Sequence, residues 1–171
     1  VLTNSEEIFK KAQLIRNQGR PNSGTFIHSA FGMNFRITDM QAALGVAQLE
    51  RLDEIISSKL SKYQIYNEKL SGLKNIDLIE LKSYSNFVPF RYFIRTKNSI
   101  ELENTLNLKG VQTRRFFYPM HLQPSIIAEY GDQPRCLNSE ELNKTGLCLP
   151  IHAGISKKDI VYITDIIKSV I

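Results

Sequence analysis

Apolar residues recur at helical spacing from the start of the chain, with Ile8, Ala12 and Ile15 on one face. Asn4, followed three residues later by Glu7, has the form of an N-cap with its N3 partner, and Gly19 stands where a helix would stop. From Arg20 to Ile37 the period breaks, because Pro21, Asn22, Ser23, Gly24 and Gly32 interrupt it. Structureless loops of that length are uncommon unless they bind something. Thr38 with Gln41 then opens a capping box, and no Pro interrupts the chain up to Gly72. The pattern predicts one long helix over 39–71, about 50 Å at about 1.5 Å per residue.

That helix changes character along its length. Ala42-Ala43-Leu44-Gly45-Val46-Ala47 is apolar on all sides, which calls for burial in a larger body or an interface. Leu49, Leu52, Ile56, Leu60, Tyr63 and Leu70 form an amphipathic stripe. Beyond Gly72 the period shifts toward two. Strands are expected at 76–81 and 87–96, where Val88, Phe90, Tyr92 and Ile94 alternate with their neighbours. Pro89 marks an edge or a bulge in the second. A helix over 99–108, a strand near 110–114 and a last helix capped by Ser156 with Asp159 complete the pattern. Ile160, Ile163, Ile167 and Val170 line the last helix. These elements predict a small α+β domain packed through one sheet face.

Composition narrows the class. The 42% hydrophobic and 23% charged fractions are those of an ordinary globular protein. No apolar run approaches the roughly 20 residues that span a bilayer, and Val1-Leu2-Thr3-Asn4 has no signal-peptide character, so no membrane partner is expected. Its abrupt start, without an initiator Met, suggests a fragment of a longer protein. The net charge of +5 is scattered rather than gathered into a basic stripe interleaved with aromatics, which argues against nucleic acid as a partner. Cys136 and Cys148 lack metal-site spacing and read as reduced thiols of a cytoplasmic protein. The carboxylates form no isolated pair suited to general acid/base hydrolysis.

Three strings could carry chemistry. In Gly32-Met33-Asn34-Phe35-Arg36, alternation puts Asn34 and Arg36 on one side and Met33 and Phe35 on the other. An amide beside a guanidinium can hold a phosphate; a turn Asn and a surface Arg fit equally. In the segment 110–121, His121 is the histidine of most interest, and Phe116-Phe117-Tyr118 reads as a core plug or a ring platform. The bland alternative for His121 is a histidine bonded to a carbonyl after Pro119. Leu147-Cys148-Leu149-Pro150-Ile151-His152 with Ile155-Ser156 is mainly structural, and His28 and His152 read as surface histidines.

The order of residues in these strings resembles the DegT/DnrJ/EryC1/StrS family of sugar aminotransferases. GMNFRITDMQAALGVAQLERLDE is similar to its G-Y-N-Y-R-[ML]-T-x-x-Q-A-A-x-G-x-x-Q-L signature, and 110–121 to its G-[IV]-x-T-R-x-F-[FY]-x-P-x-H segment. The resemblance implies an α/β fold-type I transferase dependent on pyridoxal 5'-phosphate (PLP), here as its C-terminal part: a long helix plus a small α+β domain. Residues 1–37 would end the large PLP-binding domain, 38–71 would be the connecting helix and 72–171 the small domain. The implied reaction moves an amino group, usually from glutamate, to a nucleotide-linked 4-keto-6-deoxy sugar in a homodimer with shared active sites. The R-x-F-F-Y-P-M-H form looks most like the perosamine synthase branch, which would make the sugar GDP-linked.

Carried over by residue, Asn34 matches the Asn that reaches the PLP phosphate of the neighbouring subunit. Arg36, Arg115 and His121 would contact the nucleotide sugar. Met33 and Phe35 replace Tyr, and Arg115 stands where Pro is frequent. No lysine in 1–171 matches the family's Schiff-base lysine, expected upstream of Val1, so this stretch alone would not catalyse. Two other readings stay open: a 3-dehydratase of the same family, or a non-catalytic module that binds sugar nucleotides or another chain.

Overall fold

The computed structural model describes residues 1–21, 26–82 and 84–171. Asn22, Ser23 and Gly24, named above as loop residues, lie outside the described residues. Contacts divide the chain into two compact units, Val1–Leu52 and Asp53–Ile171.

The first unit holds two helices, α1 (Glu6–Arg16) and α2 (Asp39–Glu50). The cap of α1 is Ser5 rather than Asn4. Its side chain accepts from Ile8 N–H, so the cap begins one residue later than the Asn4/Glu7 pattern suggests. The capping box of α2 forms as expected, with Thr38 Oγ1 accepting from Gln41 N–H and the Gln41 side chain accepting from Thr38 N–H. The expected continuous helix is interrupted: α2 ends at Glu50 and α3 runs over Leu52–Leu70, with Arg51 at φ −106°, ψ 10° between them. A residue that leaves helical φ/ψ costs only a local hydrogen bond, and hydrophobic periodicity does not register it. Within its unit, α2 leaves Met40, Leu44, Val46 and Leu49 exposed, as an all-round apolar helix does without a cover.

The second unit is built on a four-stranded antiparallel sheet: β1 (Asp77–Leu78), β2 (Tyr92–Arg95), β3 (Arg114–Arg115) and β4 (Gly146–Leu149), in the order β1-β2-β4-β3. Helices α4 (Ser99–Leu108), α5 (Pro124–Tyr130), α6 (Leu137–Thr145) and α7 (Lys157–Val170), with a 3-10 turn at Met120–Leu122, join α3 around it. The second strand is shorter than expected. Pairing begins at Tyr92, past Pro89, whose missing N–H cannot join a ladder and whose carbonyl instead accepts from Lys59 Nζ. The strand expected at 110–114 is shifted to 114–115, after Gly110 at φ +79°. β4, the central strand that pairs with both β2 and β3, has no counterpart in the alternation pattern.

One sheet face and the helices enclose the core. Tyr92, Ile94, Leu147 and Leu149 meet Leu102 and Leu106 of α4, Ile160, Ile163 and Ile167 of α7, and Tyr63, Tyr66 and Leu70 of α3. Each buried side chain of this size contributes about 1.5–3 kcal/mol. The Tyr66 ring stacks on Tyr92 at 4.4 Å, and both hydroxyls are satisfied: Tyr66 Oη donates to Pro150 O at 2.9 Å and Tyr92 Oη to Asn67 Oδ1 at 2.7 Å. Burial pushes both phenols up, so they stay protonated. The Ser156/Asp159 capping box opens α7 as expected.

Candidate functional site

The Gly-Met-Asn-Phe-Arg string is pinned against the end of α1. Met33 N–H donates to Ile15 O at 2.8 Å, Phe35 N–H to Arg16 O at 3.1 Å, and Gln18 N–H to Met33 O at 3.1 Å. The close approach requires glycine. A Cβ on Gly32 would lie 2.2 Å from Gly19 N and 2.8 Å from Ile15 O, and Gly19 itself takes φ +75°. Asn34 is exposed; its Oδ1 accepts from Arg36 N–H at 3.3 Å, which leaves the amide NH2 free to donate outward.

Arg36 lines a cavity of about 510 Å³ within the first unit, together with Lys10, Arg16, Asn17, Arg20 and Ser29. None of its lining residues is acidic. Asn17 Oδ1 and Arg20 Nε are buried there without hydrogen-bond partners. Arg16, Arg20 and Arg36, with Lys10 already paired to Glu6 at 2.8 Å, and the unsatisfied Arg20 Nε–H give the cavity donors for an anion, whereas Asn17 Oδ1 calls for a donor. The side chains on this loop and cavity are therefore chemically suited to phosphate. Met33 and Phe35, expected on a buried side, are exposed within this unit.

Arg115 and His121 have structural partners. Strand alternation turns Arg115 toward α4, where Nη1 meets Ser99 Oγ at 3.2 Å and Glu103 Oε2 at 3.4 Å. Its Nη2 donates to the carbonyls of Asn143, at 3.1 Å, and Lys144, at 2.6 Å. His121 is 9% exposed, and its Nε2 donates to Glu140 Oε1 at 3.1 Å, a carboxylate rather than the carbonyl weighed above. The Arg135 guanidinium on Glu140, and secondarily His121, hold that carboxyl down at about 2. Asn143 Nδ2 fixes the intervening loop by donating to Phe116 O at 2.9 Å. Only Phe116 of the aromatic run acts as a plug, edge-on to Phe93 at 5.1 Å; Phe117 and Tyr118 stay exposed.

Reading 110–121 for Arg115 alone misses its neighbour. Arg114 pairs with Cys148 across the ladder and faces the opposite side of the sheet, where it lines a second cavity with Lys59, Arg91 and Thr113. The paired Arg114-Arg115 dipeptide in a strand was the available signal, since alternation must send the two to opposite faces. His28 and His152 are exposed, and both cysteines are free thiols. Among the described residues no group of His, Cys, Asp and Glu could hold a metal ion, and no helix is long and apolar enough to cross a membrane.

The chain thus carries a glycine-pinned loop in its first unit and an antiparallel sheet in its second. The chain superposes on S. venezuelae DesV, solved in complex with a ketimine intermediate, with a TM-score of 0.83 at 24% identity, covering 98% of this chain and 45% of that one. It superposes on the aminotransferase TlmJ from Streptoalloteichus hindustanus with a TM-score of 0.86 at 22% identity, covering 97% and 45%. Residues 1–168 match the DegT/DnrJ/EryC1/StrS aminotransferase family, and the chain belongs to that family. It is 29% identical to GDP-perosamine synthase of Escherichia coli O157:H7 over 169 residues, 98% of this chain and 46% of that protein. To GDP-perosamine synthase of Caulobacter vibrioides it is 30% identical over 166 residues, 94% and 44% respectively. The chain thus spans less than half the length of these curated relatives.

Proposed function

We propose that this chain forms the C-terminal part of a PLP-dependent aminotransferase acting on a nucleotide-linked 4-keto-6-deoxy sugar. In this proposal residues 1–37 end the large domain, 38–71 connect, and 72–171 are the small domain. The observation that supports it is the loop 32–36, which resembles the family signature and holds Asn34 with its Oδ1 accepting from Arg36 N–H and its amide N–H groups without a partner among the described residues. Asn34 then donates to the cofactor phosphate of the neighbouring protomer in a homodimer. Arg36 supplies positive charge at the same mouth.

When bound, PLP supplies the electron sink for amino transfer; the lysine that anchors it is assigned to a segment outside residues 1–171. The residues of this chain bind and orient. Arg115, Asn143 and the His121–Glu140–Arg135 cluster hold the loop 115–121 in place, so that Arg115 and His121 serve the nucleotide sugar by positioning that loop. Glutamate is the proposed amino donor. A GDP-linked sugar is favoured because relatives of three organisms carry the name GDP-perosamine synthase. The proposed setting is the cytoplasm, with the product used in lipopolysaccharide O-antigen assembly.

The test is cofactor retention in the longer protein that contains this chain. Asn34→Ala is expected to raise the Kd for PLP, read from its visible absorbance, by about tenfold, the effect of one charge-assisted hydrogen bond. An unchanged Kd would remove the phosphate assignment.

A further inference from the structure

The loop 32–36 rests on the turn that follows α1, and that turn is built in an uncommon backbone state. Gln18 has φ +61° and Gly19 φ +75°, and among the described residues Gln18 alone has positive φ without being glycine. The Cβ of an L residue disfavours this region, so such a residue persists where its surroundings hold it. Gly19 N–H donates to Leu14 O at 2.8 Å and closes the end of α1. Ser29 donates to Gly19 O twice, from its N–H at 2.9 Å and from its Oγ at 3.3 Å. His28 Nδ1 lies 2.7 Å from Gln18 O. A carbonyl only accepts, so Nδ1 carries the hydrogen and the ring donates. His28 and Ser29 therefore take the carbonyls of Gln18 and Gly19, one each. The fit has no slack, since a Cβ on Gly19 would lie 1.7 Å from Ala30 O.

The other side of Gln18 carries the loop. Its N–H donates to Met33 O, Phe35 N–H donates to Arg16 O, and Asn17 and Asn34 are bridge partners. The N–H and the carbonyl of Gln18 flank one Cα. Fixing the carbonyl therefore limits the backbone rotation that would carry the N–H away from Met33. The His28 ring is exposed, so core packing does not dictate where it sits; its bond to Gln18 does. We propose that His28 is a positioning residue: by holding the Gln18 carbonyl it keeps the turn, and through the turn Asn34, in place to bind a phosphate. The inference rests on the assignment of Asn34 to the cofactor phosphate for the identity of the ligand.

The experiment compares His28→Ala and His28→Asn in the longer protein that contains this chain, because the Asn amide places an N–H near the position of Nδ1. Two quantities are read: amide hydrogen exchange over 28–36 in the PLP-free protein, and the Kd for PLP from its visible absorbance. His28→Ala is expected to speed exchange and to raise the Kd by about threefold each, the effect of one solvent-exposed hydrogen bond. His28→Asn should restore most of both. In an Asn34→Ala background, His28→Ala should add nothing to the PLP Kd, since its effect passes through Asn34. The proposal is overturned if His28→Ala leaves exchange and Kd unchanged, or if its effect on the Kd adds in full to that of Asn34→Ala. Either result, with Asn34→Ala still weakening PLP, removes the positioning role alone and leaves the aminotransferase reading standing. An unmodified protein that does not bind PLP would remove that reading and the role of His28 with it.

Discussion

Arg115→Ala separates a loop-fixing role from direct substrate contact. The guanidinium meets four acceptors, from Ser99, Glu103, Asn143 and Lys144, and so ties β3 to α4 and to the end of α6. The ion pair with Glu103 is 3.4 Å long, with both side chains partly exposed, and contributes at most about 1 kcal/mol. The two carbonyls matter more, since hydrogen bonds from a charged donor contribute about 1.5–3 kcal/mol each. Water reaches part of this site and replaces some of that, which leaves a net loss of about 3 kcal/mol on truncation to Ala. In the longer protein that contains this chain, this lowers the thermal midpoint by about 4 °C and the urea midpoint by about 1 M, with little change in slope. Arg115→Lys should recover about half, because one ammonium reaches fewer acceptors. Equilibrium urea unfolding followed by circular dichroism reads both. An unchanged midpoint combined with a raised KM for the nucleotide sugar would refute the positioning role and make Arg115 a substrate contact.

Three further outcomes follow from the geometry. Gly32→Ala forces a Cβ to within 2.2 Å of backbone at Gly19, so the loop must shift; a destabilisation of about 1–3 kcal/mol by urea unfolding and weaker PLP retention are expected together. Glu140 has its carboxyl lowered from 4.5 to about 2 by Arg135 and then His121. Its stabilising contribution is therefore present above about 4.5 and lost as pH falls toward about 2. In Glu140→Gln the stability difference from the unmodified protein should shrink across that window, measured by thermal melts at stepped pH. Ser156→Ala removes the side-chain half of the α7 capping box and should cost about 1 kcal/mol in the same unfolding assay.

The features legible in the sequence are those whose cause is local. Thr38 with Gln41 and Ser156 with Asp159 satisfy backbone groups three residues away, so the residue types alone announce the helix starts. The amphipathic stripe of α7 is equally plain, and Ile160, Ile163 and Ile167 are buried. β4 escapes the same reading because all four of Gly146–Leu149 are buried; a strand covered on both faces has no alternation, and four residues give no length to judge by. The division of labour within Arg114-Arg115 depends on where the strand begins, and that start is set by pairing with β4 rather than by the dipeptide itself. Asn34 and Arg36 are conspicuous as a motif. That their loop is pinned by α1 carbonyls, with Gly32 against Gly19, is a tertiary fact that no spacing announces.

The proposal of an active site shared between protomers is tested most directly by subunit complementation in the longer protein. One variant carries Asn34→Ala and the other has the anchoring lysine replaced by Ala; with PLP held below the raised Kd of the first, that variant alone is expected to be weakly active and the second inactive. Random mixing should give dimers in which roughly a quarter of the sites combine an intact lysine from one protomer with an intact Asn34 from its partner. Aminotransferase activity returning toward that fraction on mixing is the predicted result. A mixture no more active than the sum of its components would show that Asn34 does not serve the neighbouring site.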